Sequence, residues 1–408
     1  MIIYLKRLSN NFPINTYFSI LFYQIVMRKL IFIFLVLNVV IGYAQIGGTN
    51  TYEFLNVPVS ARVGGLGGSV IAVYDNDPTL SFSNPSLLNS EMSGMLTLSY
   101  LNYFTDINQG YVSYVNDFKK VGTFSAGIRY IDYGQFLETD EGGNELGTNF
   151  TAAEYAFVIG WGKSIDSSFS VGANLKPIYS NMYLYNSFGL AFDFSGTYHN
   201  HAKGFTAAVV IKNMGTQFKT YVEGGEKEPL PFEVQAGISK KFKHVPFRLS
   251  IDFNHLENWN LSYNDSLAAT NNNNKLTDEE KAERNKTSLL TETFRHLVFG
   301  GEFVPSKSFM LRVGFNVKRR SELALDNKPG LVGFSWGVGF RIKKFHISYG
   351  SARYHLAGSS NHFTLTTNLS EYYRKDLPPI QPKEKKEKIS ARAGTDGKKP
   401  QKEKNKND

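Results

Sequence analysis

The sequence has no cysteine, which excludes a disulfide framework, a Cys-ligated zinc site and a thiol nucleophile. Beyond Gln45 it also lacks any apolar run of about 18 residues, so no transmembrane helix is expected there. Charge of one sign is missing from the middle of the chain. The formal net charge of +9 comes from the two ends: residues 1–44 carry Lys6, Arg7, Arg28 and Lys29 with no acid, and residues 375–408 carry 11 basic against 6 acidic side chains. Residues 45–374 are neutral, whereas a nucleic-acid binder concentrates positive charge on its folded part, so no nucleic-acid partner is expected. What the chain does have is aromatic residues, 32 Phe and 23 Tyr.

From Met27 the chain reads as an export signal, with Arg28 and Lys29 as the positive start and Leu30 to Ile41 as the apolar stretch. Gly42-Tyr43-Ala44 forms a small-residue cleavage site between Ala44 and Gln45. Residues 1–26 read as an upstream extension, so the domain 1–44 is expected to be a signal peptide with added leader, with Met1 and Met27 as the two candidate starts. At the other end, 375–408 is proline- and charge-rich with little to bury. It is expected to be a disordered basic tail, or an arm that contacts an anionic periplasmic partner.

Between the ends the main signal has period two, which in a strand separates an apolar face from a polar one. In 309–318, Phe309, Leu311, Val313, Phe315 and Val317 share one face, against Arg312, Gly314, Asn316 and Lys318. Phe124, Ala126, Ile128 and Tyr130 oppose Arg129, and Phe247, Leu249, Ile251 and Phe253 oppose Arg248, Asp252 and Asn254. Such segments are predicted near 95–102, 109–115, 122–130, 150–161, 169–179, 187–198, 204–212, 231–240, 247–256, 296–304, 309–318, 332–341, 345–352 and 362–369. Connections after even-numbered strands are short, while the long ones (131–149, 213–230, 257–295, 319–331) all follow odd-numbered strands. That asymmetry, with aromatic girdles at both ends, predicts an all-β fold: a transmembrane antiparallel barrel of about 14 strands over 93–374. Long loops would be extracellular, both termini periplasmic, and membrane lipid a partner. The inward polar set is expected to include Arg129, Arg248, Asp252, Asn254, Arg312 and Asn316. Residues 45–92, rich in glycine and turn residues, are expected to fold into the barrel mouth as a plug.

Patterns that hint at chemistry fail on inspection. Gly333-Phe334-Ser335-Trp336-Gly337 matches a nucleophile elbow, but alternation runs straight through it, so Ser335 reads as a strand residue. Asp75-Asn76-Asp77 opens like a calcium loop, yet Leu80 and Ser86 stand where an EF-hand needs Gly and Glu. Gly64–Ser69 has no Lys for a phosphate cradle, and its glycines are better explained by close backbone packing. His199-Asn200-His201 is an incomplete metal clip. No catalytic, metal or cofactor site is expected, and the chain does not read as an enzyme.

The segment running from Thr51 through Ser60-Ala61-Arg62, Gly64, Gly67 and Gly68 to Asp75, Asp77 and Asn84-Pro85 resembles the start of the PorQ-like outer-membrane proteins of the Bacteroidetes type IX secretion system. More distantly it is similar to PorV and the FadL-type hydrophobic-compound transporters. Ser86 stands where the motif often has Ala. The resemblance is specific over 50–90 and architectural over the barrel. It implies a fourteen-stranded barrel with an N-terminal plug that carries the motif Arg62, Gly64, Gly67, Gly68, Asp75, Asp77, Asn84 and Pro85. It also implies a non-enzymatic role: anchoring a surface attachment complex, chiefly a PorZ-like protein, through external loops. The alternative is transport of a small hydrophobic ligand, which the charged inward positions disfavour.

Overall fold

The computed structural model describes residues 50–261, 289–323, 330–355 and 358–373. Fourteen strands form the wall. In chain order they are β1 (Met95–Asn102), β2 (Asn108–Phe118), β3 (Gly122–Thr139), β4 (Glu145–Ser164), β5 (Phe169–Met182), β6 (Tyr185–Asn200) and β7 (Phe205–Lys219). The second half comprises β8 (Glu233–Lys241), β9 (Phe247–Phe253), β10 (Leu297–Ser306), β11 (Phe309–Asn316), β12 (Phe334–Ile342), β13 (Phe345–His355) and β14 (Gly358–Asn368). Each pairs antiparallel with its sequence neighbours, and β1 closes on β14 from Met95↔Asn368 to Asn102↔Asn361.

Closure leaves no unpaired edge inside the wall, which is the condition for strands to cross a membrane. The distribution of side chains is inverted relative to a water-soluble protein. Ile128, Phe157, Leu249, Val313, Trp336 and Phe363 lie on the outside and are exposed. Their inward neighbours Arg129, Lys176, Asp193, Arg312 and His362 are buried. So wide an apolar exterior is tolerated in hydrocarbon and not in water. The architecture is that of an outer-membrane β-barrel.

Three sequence expectations need correction. Residues 213–219, expected to open a long connection, are the end of β7 and pair with β6 as far as Phe188↔Lys219. Residues 131–149 are not a loop: β3 and β4 continue as a hairpin, and only 140–144 turns. Val317 does not continue β11; that strand ends at Asn316 and Val317–Leu323 is a short helix. In these last two places the chain has left the hydrocarbon, so period two no longer decides the backbone. Residues 1–49, with the expected cleavage at Ala44 and Gln45, and the tail 375–408 lie outside the described residues. Of the 257–295 excursion, Leu289–Arg295 is helical.

Candidate functional site

Residues 50–92 lie inside the barrel, built from short capped turns. Ser60 accepts from Val63 N at the start of α1 (Ala61–Gly65). Asp77 and Asn84 each cap a single 3-10 turn whose first residue is proline, Pro78 and Pro85. An Asx side chain satisfies the free N–H groups that open a helical turn, and proline there has no N–H to satisfy and a preset φ. The Asp-Pro and Asn-Pro pairs are thus turn starters first.

Arg62, on α1, joins this segment to the wall. Its guanidinium donates to Glu302 of β10 through Nε (2.9 Å) and Nη2 (2.8 Å). It also donates to Asp75 through Nη1 (3.0 Å) and Nη2 (2.7 Å), and to Asp77 through Nη1 (3.0 Å). Arg248 of β9 bridges Asp75 (2.9 Å) and Glu302 (2.8 Å), and Arg312 of β11 donates to Glu302 (3.1 Å) and Ser348 (3.2 Å). Three guanidinium groups therefore face three carboxylates, and Arg62 makes two hydrogen bonds each to Glu302 and Asp75. Burial alone would raise the Asp75 carboxyl, but Arg62 and Arg248 overcome it and hold the group well below the usual carboxylate range. Burial opposes the charge on Arg62 as well, and Asp75 and Glu302 outweigh it.

The rest of the segment is fastened around the wall. Arg129 donates to the carbonyls of Leu55 (3.0 Å) and Val57 (2.7 Å) and to Gln109 (2.8 Å). Asn84 donates to Ile71 O (2.6 Å) and to Thr197 of β6 (3.0 Å). Ser335 of β12 donates to Gly65 O (3.1 Å) and accepts from Gly67 N (2.8 Å). Asp252 accepts from Ile71 N (3.4 Å), Asn254 from Ser69 (3.0 Å), and Asn316 donates to Gly67 O (3.1 Å). Gly67 has φ +94°, and a Cβ there would lie 2.5 Å from Val298, while one on Gly64 would lie 2.7 Å from His362. Gly68 has φ +93°.

All six inward residues named from alternation thus touch the inner segment or its ion cluster. So do the motif residues, except that Pro85 acts through backbone placement against Gly172. Sequence reasoning missed Glu302, the wall's only carboxylate in the Arg62 cluster among the described residues, and the buried pair Lys176–Asp193 (2.5 Å). Both sit at inward positions of alternating strands, so period two could have placed them, though not paired them. His199 and His201 are hydrogen-bonded to each other (3.1 Å) and pack on Tyr74.

On the long-connection side the inner segment floors a polar cavity of about 350 Å³. Lys212, Glu233, Asn254, His255 and Arg319 line it, with Glu233 lying 3.7 Å from Lys212 and 3.8 Å from His255. A second concavity of about 660 Å³ is apolar, and Leu98, Tyr100, Val112, Ile128 and Phe363 line it from the outer, lipid-facing surface.

No protein-family model matches the chain, and no curated protein matches it. Among solved structures it is similar in fold to the Pseudomonas putida toluene transporter TodX, at 12% identity, covering 76% of this chain and 96% of that one with a TM-score of 0.45. The CymD monoaromatic hydrocarbon channel gives 12% identity, 76% and 96% coverage and a TM-score of 0.42. A Pseudomonas aeruginosa FadL homologue gives 10% identity, 76% and 98% coverage and a TM-score of 0.41. These neighbours are FadL-family outer-membrane barrels, transport channels and not enzymes.

Proposed function

We propose that this chain is a non-enzymatic outer-membrane barrel, closed by its own N-terminal segment, that holds an exported surface protein at its long-connection rim. On this reading it serves as a PorQ-like component of a type IX secretion system, with a PorZ-like partner and the other attachment-complex components outside the cell. The supporting observation is the charge-compensated cluster of Arg62, Asp75, Asp77, Arg248, Glu302 and Arg312, which ties the inner segment across the lumen. A lumen occupied in this way favours a structural role over conduction. The sequence resemblance over 50–90 supplies the secretion assignment.

The alternative is transport of small hydrophobic molecules. The names of the solved neighbours point to it and none points to secretion, although likeness at that level carries the fold alone. The polar character of the inner cavity weighs against an apolar ligand.

Capture on the tagged barrel from detergent-solubilised outer membranes should recover a large exported surface protein. Removing 133–149, 220–230 or 262–293 in turn, which spares the paired wall, should identify the connection responsible. Cells lacking the barrel should lose surface attachment of that protein and grow normally on a lipophilic carbon source. Impaired growth on that source with attachment intact would select transport instead.

A further inference from the structure

Strands β3 and β4 run on past their neighbours. β2 leaves β3 at Asn108↔Asp132, and β5 leaves β4 at Ala152↔Met182. β3 and β4 stay paired through Gln135↔Thr151, Phe136↔Phe150 and Leu137↔Asn149 to Thr139↔Glu145. Seven residues of strand, 133–139, therefore project roughly 23 Å beyond the rim.

The two edges of this ribbon differ. On the β4 side Tyr183 N donates to Thr151 O, and its ring lies 4.6 Å from Phe150. On the β3 side Gly134 rests against Asp106, and beyond it no described strand pairs with 135–139. An open edge presents backbone donors and acceptors to any extended chain, and proteins normally blunt it with lysine, proline or a covering loop. This edge has neither residue. It carries exposed Phe136 and Leu137, with Leu146 exposed on the partner strand.

Its charge selects the occupant. Glu138, Asp140, Glu141 and Glu145 stand on the ribbon, and no Lys or Arg occurs from Asp132 to Glu154. A second copy would bring the same four acids edge to edge, which like-charge repulsion opposes. The last residue of β14, Asn368, pairs with Met95 at the rim opposite the ribbon, so the chain leaves the wall at the far end from this edge. We propose that the open edge at 135–139 takes an extended basic segment of a partner protein, alternating Lys or Arg with apolar residues, by strand addition. This rests on the docking reading and names which connection makes the contact, and how.

The test uses the full-length protein in neutral detergent micelles and a fluorescein-labelled octapeptide of alternating Lys and Val. Saturable binding should appear by anisotropy, with new hydrogen-exchange protection confined to 135–139. The double variant Glu141→Lys/Glu145→Lys should weaken binding at least tenfold, and so should a peptide with Pro at two alternate positions. Absence of saturable binding, equal affinity for the Pro-containing peptide, or protection elsewhere would overturn the proposal. If the peptide fails to bind while removal of 220–230 or 262–293 abolishes capture of the surface protein, the docking role survives and the ribbon assignment falls. If the peptide binds as expected and capture is indifferent to every long connection, the edge is real and the docking role falls.

Discussion

Replacing Arg62 by Met keeps most of the side-chain volume and removes five hydrogen bonds to three carboxylates. Breaking a buried ion pair from one side costs about 3–5 kcal/mol, because the remaining charge stays buried. Two compensations place the effect near the lower end. Asp75 and Glu302 keep Arg248, Glu302 also keeps Arg312, and Asp77 keeps the N–H and hydroxyl of Thr79. A loss of about 3 kcal/mol corresponds to a rise of roughly 100-fold in the population with the inner segment released. The native chain has no cysteine, so a single Cys at buried Ala72 gives a background-free probe. Maleimide labelling of Ala72→Cys should accelerate by about 100-fold in the Arg62→Met background, where rate follows the open population. Heat-dependent gel mobility should remain that of a folded barrel, since no strand-to-strand backbone hydrogen bond is touched. Labelling within twofold of the parent, with the barrel intact, would refute the idea that this cluster holds the segment in place.

Ser335→Ala should leave the Gly67 N–H without its acceptor and weaken the segment by about 1–3 kcal/mol, read as faster exchange at the Gly67 amide. A serine-directed fluorophosphonate should not modify the parent protein, and stoichiometric modification of Ser335 would contradict its place in the strand. Val313→Arg puts a charge on an outward position 63% exposed and should reduce refolding stability in lipid vesicles by about 2–4 kcal/mol, whereas Val313→Leu should be neutral. The pH dependence of Ala72→Cys labelling follows from Asp75, whose carboxyl is held down in the folded state chiefly by Arg62 against the effect of burial. Stability from such a group is complete above its ordinary value of about 3.9 and is lost only as pH falls through the depressed one. Maleimide reacts with the thiolate, so the rate is divided by that of the unfolded chain at the same pH. This ratio should be flat from pH 7 to 4, and a rise in it between pH 6 and 5 would count against the assignment.

Fold class was legible because lipid imposes a strict rule on every second side chain. Arg312 between Leu311 and Val313 has one solution: the guanidinium inside and both aliphatic chains outside. Where the chain leaves the hydrocarbon the rule lapses. Residues 135–149 are wetted on both faces, so they lose alternation and read as loop, although they are paired strand. Pairing was also invisible. Alternation can put Glu302 on the inside, and Arg62 belongs to the segment expected there as a plug, but nothing local says that positions 240 residues apart in sequence meet. Ser335 shows the converse: its pattern suggested catalysis, and its hydroxyl instead joins the carbonyl and amide of two glycines of α1 and its C-terminal turn.

The polar lining of the barrel answers a need of its own N-terminal segment. A segment made of single helical turns leaves many carbonyls without intrasegment partners, and buried carbonyls need donors. The wall supplies them one by one: Arg129 to Leu55 and Val57, Gln109 to Pro58, Asn316 to Gly67 and Ser239 to Ala72. Asn174 serves Ser81 and Phe82, and Ser170 serves Ser86. A water-filled channel would need polar side chains of no particular spacing, whereas these match individual carbonyls of one irregular chain. Release of the whole segment would break the ion cluster and leave these carbonyls without their donors. The inward polar residues of this barrel thus complement its own N-terminal segment.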